Sequence, residues 1–251
     1  MLAAPGYLTQ QTCVSIGGVA DLQIRSLLDR QQFADPLGQA QRLGISSATW
    51  PLFGMLWPSG AELAALLALR PVRAGERILE IGCGLGLASL VGHRRGADIT
   101  ASDCHPLAAA FLQENLRLNH LLPMKYRHGQ WDAAQPQRAL PGGPGAAAVL
   151  AVVGHFDLII GSDVLYERDD KASLAGFIGR HAARTAEVWI IDPHRSNRPA
   201  FHRQMAALGF DVHERRLDRP AGSSAGLSAE AYRGRVLTYR RPGAMATAAA
   251  V

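Results

Sequence analysis

From residue 76 onward, short apolar runs of four to six positions alternate with amphipathic stretches along this 251-residue chain. Alternation of that kind predicts parallel strands joined by crossover helices. The pattern places strands at 77–82, 98–102, 124–130, 156–160 and 187–191, with helices at about 86–95, 105–120, 169–183 and 199–208. Phe156, Leu158, Ile159 and Ile160 make the fourth strand nearly unbroken in its apolar character, as expected when both faces are covered. Two further alternating runs, 210–217 and 232–239, are joined by a loop at 218–228 and should pair antiparallel at one sheet edge. Upstream, runs at 12–16 and 19–24 flank Gly17-Gly18 and predict a β-hairpin. A helix is expected just after Trp57, where Ser59 and Glu62 have capping-box spacing ahead of the apolar stretch 63–69.

These elements imply a doubly wound α/β domain at 57–241, preceded by an extension at 1–56 that packs on it. A Pro-, Gly- and Ala-rich loop at 133–153 interrupts the domain, and a small-residue tail at 242–251 should be disordered. Composition agrees, with 48% hydrophobic and 19% charged residues, an ordinary globular balance. No apolar run reaches the roughly 18 residues a membrane span needs, and the N-terminus lacks a secretory pattern, so a cytoplasmic protein is expected. Cys13, Cys83 and Cys104 have neither disulfide nor zinc spacing, and no metal is called for. The net charge of +5 would attract an acidic protein or RNA. No basic stretch is interleaved with aromatic residues, so nucleic acid is not the expected partner.

The chemistry concentrates after the first strand of the alternating region. Glu80, Gly82, Cys83, Gly84 and Gly86 form an acidic, glycine-rich turn of the kind that brings backbone close to a nucleotide-like ligand, ahead of a helix whose N–H groups could face it. Cys83 is expected to act as a small spacer that lends its backbone N–H rather than a reactive thiol. A dinucleotide fingerprint needs its third glycine one position later, where this chain has Leu87, which disfavours NAD. Asp103 ends the next strand about twenty residues on, where a carboxylate accepts ribose hydroxyls; capping the helix near Pro106 is the other role it could play.

The spacing Glu80-x-Gly82-x-Gly84-x-Gly86 resembles the first motif of the seven-strand S-adenosylmethionine methyltransferases. Gly161-Ser162-Asp163-Val164-Leu165-Tyr166, with Trp57-Pro58-Ser59 and Trp131-Asp132, resembles the protein-lysine branch of that family, which carries Asp-x-x-Tyr after the fourth strand. Asp192-Pro193-His194-Arg195 is similar to a segment of the electron transfer flavoprotein β-subunit lysine methyltransferases. The resemblance covers roughly residues 50–215 and implies a Rossmann-like methyltransferase fold: a mainly parallel seven-stranded sheet. It implies S-adenosylmethionine contacts from Trp57, Glu80, Gly82 to Gly84, Gly86, Asp103, Trp131 and Ser162. It also puts Asp163 and Tyr166 on the acceptor side and makes a protein the substrate. Without it, Trp57 and Trp131 would read as core aromatics, and Tyr166 could pack under the sheet edge. The alternatives are a small-molecule N-methyltransferase acting on a nicotinamide-like amine, a NAD-type oxidoreductase, and a non-catalytic cofactor-binding interaction module. An Asn/Asp-Pro-Pro-Tyr motif of adenine or glutamine methylation is missing, since Val164 and Leu165 follow Asp163.

Overall fold

A computed structural model describes residues 6–132, 148–221 and 231–242. The N-terminal pair is β1 (Thr9–Val14) and β2 (Leu22–Leu27), antiparallel, with Val14 opposite Leu22. A short helix α1 (Gln39–Arg42) and a 3-10 turn at Trp50–Gly54 lead to α2 (Pro58–Leu69). Then follow β3 (Arg77–Ile81), α3 (Leu87–Arg94), β4 (Asp98–Asp103), α4 (Ala108–Leu118) and β5 (Lys125–His128). The second half comprises β6 (Phe156–Ser162), α5 (Ser173–His181), β7 (Ala182–Asp192), α6 (Arg198–Ala207), β8 (Asp211–Arg219) and β9 (Tyr232–Arg241).

The main sheet has seven strands in the order β5-β4-β3-β6-β7-β9-β8. The first five are parallel, while β9 runs antiparallel to both β7 and β8, so the edge pairing expected from the sequence forms. Period-2 alternation splits the strand side chains between two cores. Ile78, Leu158 and Ile160 face α2, α3 and the hairpin side, whereas Leu79, Ile81 and Ile159 face the side carrying α5 and α6. From β3 the chain winds outward to β5 and then returns to place β6 beside β3. That reversal is the switch point, and it opens a crevice at the carboxyl ends of these two strands.

The extension is joined to the sheet domain through α4. The outer edge of β2 would leave backbone groups unpaired, but Asn115 Oδ1 accepts from Arg25 N–H at 2.8 Å and Asn119 brackets Gln23 through its N–H and carbonyl at 2.9 and 2.7 Å. Asn115 is fully buried and also donates to the Leu85 carbonyl beside the glycine turn, at 3.3 Å.

Several boundaries differ from the sequence reading for tertiary reasons. The α2 helix does begin after Trp57, with Pro58 at its first position, but there is no capping box. Ser59 Oγ instead bonds Tyr232 Oη at 2.9 Å, and Glu62 Oε1 accepts from Arg219 Nε at 2.6 Å. Helix α5 starts at Ser173 rather than 169, because Asp169 is spent accepting from the Ser173 and Leu174 N–H groups. Strand β7 starts at Ala182, five residues early, with Ala182 paired to Phe156 ahead of an irregularity in the ladder. Of the expected loop, 133–147 lies outside the described residues, and beyond it Ala151 bridges His128 while Val152 is buried. The expected disordered tail lies outside them except for Pro242. Among the described residues, no helix is long and apolar enough to cross a membrane.

The double role of Asn115 generates a prediction. Asn115→Ala should strip partners from the part-buried Arg25 N–H and the buried Leu85 carbonyl and lower unfolding free energy by about 2 kcal/mol, read as a shift in urea midpoint at unchanged slope.

Candidate active site

A cleft of about 1310 Å³ lies at the switch point, lined by the turns after β3, β4 and β6 and covered on one side by residues of the N-terminal extension. Every site residue singled out from the sequence except Gly86 lines it, including Trp57, Glu80, Asp103, Trp131, Ser162 and Tyr166. Gly86 stands behind the turn, at the N-cap of α3.

The turn owes its shape to left-handed backbone at Gly82, Gly84 and Gly86, with φ of 57°, 51° and 75°. A Cβ on Gly84 would sit 2.8 Å from the Phe53 carbonyl oxygen, so the extension presses directly on the turn. A Cβ on Gly82 would meet Val164 Cγ1 at 3.1 Å and Trp131 Cζ2 at 3.5 Å, inside the cleft. The expectation that Cys83 lends its backbone N–H to a ligand is corrected, because that N–H is used within the turn. Cys83 N–H donates to the Ser102 carbonyl at 2.9 Å, Gly84 N–H to Asp103 Oδ2 at 2.9 Å, and Gly86 N–H to the Cys83 carbonyl at 2.7 Å. Cys83 is therefore a spacer whose N–H is already used, and its buried thiol is pushed well above the usual range.

Glu80 is almost wholly buried and turned onto the start of α3. Its Oε2 accepts from Ser89 N–H at 2.8 Å and from the Ser89 hydroxyl in a very short bond. Burial raises its pKa to about 7, against the opposing pull of the Ser89 bonds. Asp103 accepts from Gly84 N–H and, through Oδ1, from His105 N–H at 2.8 Å. Burial raises its pKa as well, opposed by these donors. It does not cap α4, whose N-cap is Leu107. His105 stacks on Phe53 with centroids 3.6 Å apart, and Leu107 N–H donates to its Nδ1 at 3.2 Å, leaving the proton on Nε2.

Trp57 Nε1 donates to the Leu52 carbonyl at 2.8 Å, and the Arg30 guanidinium lies 4.6 Å from its ring centroid. Trp131 stands three residues beyond the end of β5, and among the described residues its buried Nε1 has no hydrogen-bond partner. Tyr166 is 44% exposed at the cleft mouth, so it does not pack under the sheet edge.

Asp163 follows β6 in left-handed backbone, φ 54°, and Arg195 grips it side-on: Nε to Oδ1 at 2.8 Å and Nη2 to Oδ2 at 2.9 Å. Arg195 N–H in turn donates to both oxygens of the fully buried Asp192, at 3.3 and 3.1 Å. Asn197 Nδ2 donates to the Leu165 carbonyl at 2.9 Å, so the turns after β6 and β7 are tied together. In the sequence Arg195 stands out only as part of a four-residue similarity. Its pairing with Asp163, 32 positions away, has no local signal. Arg30, Phe53 and His105 were missed for the same reason.

The residues present fit a nucleoside cofactor: two glycines whose Cβ atoms would crowd the walls, a strand-end carboxylate, and an orphaned indole N–H on the same cleft.

Two stability measurements test this site. Gly44→Ala, at φ 76° with open space around it, should cost about 1 kcal/mol of left-handed strain, while Gly84→Ala should cost at least twice that by adding the clash with Phe53. For Glu80, the folded pKa lies above the unfolded value. Stability should therefore be greatest below pH 4.5 for this group, decline between 4.5 and about 7, and be flat above. Glu80→Gln should erase that decline, on the order of 3 kcal/mol, in urea titrations across this window.

No protein-family model matches the chain. Over 76 residues it is 37% identical to the electron transfer flavoprotein beta subunit lysine methyltransferase of Danio rerio, covering 30% of each chain. Over 127 residues it is 30% identical to protein N-lysine methyltransferase METTL21A of the same organism, covering 50% of each. The chain thus matches between 30% and 50% of the length of these relatives. Among solved structures, the Thermus thermophilus 16S rRNA methyltransferase RsmC, in complex with AdoMet and guanosine, superposes with a TM-score of 0.55 at 14% identity, over 94% of this chain and 51% of that one. The chain has the Rossmann-like methyltransferase fold, and its sequence is similar to protein-lysine methyltransferases.

Proposed function

We propose that this protein is an S-adenosylmethionine-dependent N-methyltransferase acting on a lysine side chain of a protein. The observation that carries this reading is that Asp163 and Tyr166 stand in one cleft with the glycine turn, Asp103 and Trp131. A donor on one wall and an acceptor on the other then meet at the switch point. The lysine methyltransferases to which the sequence is similar support the acceptor class.

When bound, S-adenosylmethionine supplies an electrophilic methyl group on sulfur, so the protein has mainly to align three atoms at about 3 to 3.5 Å. The glycines at 82 and 84 keep the wall free of Cβ atoms, and Asp103 keeps lone pairs for hydroxyls beyond the two N–H groups it accepts. Trp131 offers a flat face and an N–H, while Ser162 and Trp57 complete the wall. Asp163 orients the acceptor amine, and Tyr166 packs on its alkyl stem. A lysine amine with a pKa of about 10.4 needs roughly 4.6 kcal/mol to become neutral at pH 7. Its proton goes to water at the open mouth. That mouth carries both signs, with Arg168 paired to Asp170 at 2.6 Å, and gives no preference for an acidic partner.

Calorimetry should show binding of S-adenosylhomocysteine and none of NAD. Incubation with labelled methyl donor and heat-treated lysate should place label in a protein band rather than in the small-molecule fraction. Asp163→Asn, which tolerates the left-handed backbone, should keep S-adenosylhomocysteine affinity within about twofold and lower transfer by about 100-fold or more. Transfer at the wild-type rate would overturn the assignment of Asp163.

A further inference from the structure

We infer that Arg195 controls the protonation of the acceptor amine: locked side-on to Asp163, it offsets the carboxylate so that the amine is held there as a neutral nucleophile. This rests on the N-methyltransferase reading above. A bare carboxylate would attract the acceptor but keep it as an unreactive ammonium. The pair resolves that conflict. Each Asp163 oxygen accepts one Arg195 N–H, which leaves lone pairs for the amine while the net charge it meets is close to zero.

Three features make the pair a built device. Asp163 is held in left-handed backbone, with its N–H donated to the Ile191 carbonyl at 2.8 Å, and His194 next to Arg195 is also left-handed at φ 63°. Arg195 N–H is anchored on Asp192, which is compensated in turn by Arg198 at 3.5 Å. The Arg195 side chain is 39% exposed against 11% for Asp163, so the cation borders the path of an incoming side chain. The other titratable groups about the pair are Asp192 at the end of β7, Tyr232 on β9, Tyr166 and Glu167 in the following turn, Asp103 across the cleft, and His194 in the Arg195 turn. Tyr232 is held neutral by burial.

The amine gives its proton to water. Its lone pair then forms the N–C bond while the electron pair of the breaking C–S bond returns to sulfur, leaving a thioether and a methylated ammonium.

The test is the pH dependence of label transfer into the band that the wild type labels. Arg195→Gln should move the acidic limb up by about one unit and lower transfer near pH 7 about tenfold, with rates converging toward wild type at high pH. Arg195→Lys keeps the charge and should leave the limb in place. Affinity for S-adenosylhomocysteine should stay unchanged in both. An equal drop at every pH with Arg195→Gln, or a limb moved as far by Arg195→Lys, overturns the proposal and leaves the methyltransferase reading standing. If Arg195→Gln does not fold, the limb of Arg195→Lys decides alone. A wild-type protein that neither binds S-adenosylhomocysteine nor labels a band removes the reading, and the proposal with it.

Discussion

The Gly84 peptide joins three parts of the molecule. Its N–H is donated to Asp103 at the end of β4, its φ of 51° folds the chain back from β3, and the missing Cβ admits the Phe53 carbonyl of the extension. A side chain at this position would break all three at once, because left-handed strain and a 2.8 Å contact add. The turn is thus held by the protein itself. Its Cys83, Gly84 and Gly86 N–H groups are spent internally, and what it offers a ligand is a smooth wall and a fixed place for Asp103. This differs from loops that cradle phosphates by aiming N–H groups outward, and suits a ligand read through hydroxyls and a flat base.

The sheet explains why the wall stands where it does. Its order reverses between β3 and β6, so the turns after those strands diverge and leave a crevice that no crossover fills. The extension then closes one side, fastened through Asn115 to both the hairpin edge and the Leu85 carbonyl next to the turn. Fold and site therefore share one set of contacts, and loss of the hairpin would reach the cleft through a buried amide.

Legibility in the sequence followed the range of the interactions. Strands β3 and β6 were readable because burial on both faces makes most of their positions apolar, with Glu80 and Asp157 as interruptions, and the turn was readable because left-handed backbone demands glycine. The start of α2 was found for a sound reason, Pro58 at the first helical position, and for an unsound one. Ser59 and Glu62 have the spacing of a capping box but are taken by Tyr232 and Arg219, each more than 150 residues away. Asp103, Asp163 and Tyr166 were legible through their placement after strands. Their partners were not, since neither the stacking of Phe53 on His105 nor the grip of Arg195 on Asp163 leaves any local pattern.

The carboxylates at the sheet's carboxyl ends fall into two kinds. Glu80, Asp103 and Asp192 are buried, have raised pKa values, and accept from backbone N–H groups of the turns or helix that follow, at Ser89, at Gly84 and His105, and at Arg195. Such bonds favour the charged form while fixing the local chain, so these acids serve as knots. Asp163 is compensated instead by a guanidinium that is itself partly exposed at the cleft. A backbone N–H is a dipole set by the fold, whereas a side-chain cation carries a full charge that one substitution can remove. Asp192 also has Arg198 at 3.5 Å, but Asp163 is the acid of this set that a guanidinium grips side-on through both oxygens, and in the proposed reading it faces the acceptor, where the charge state of an incoming amine decides whether it can react.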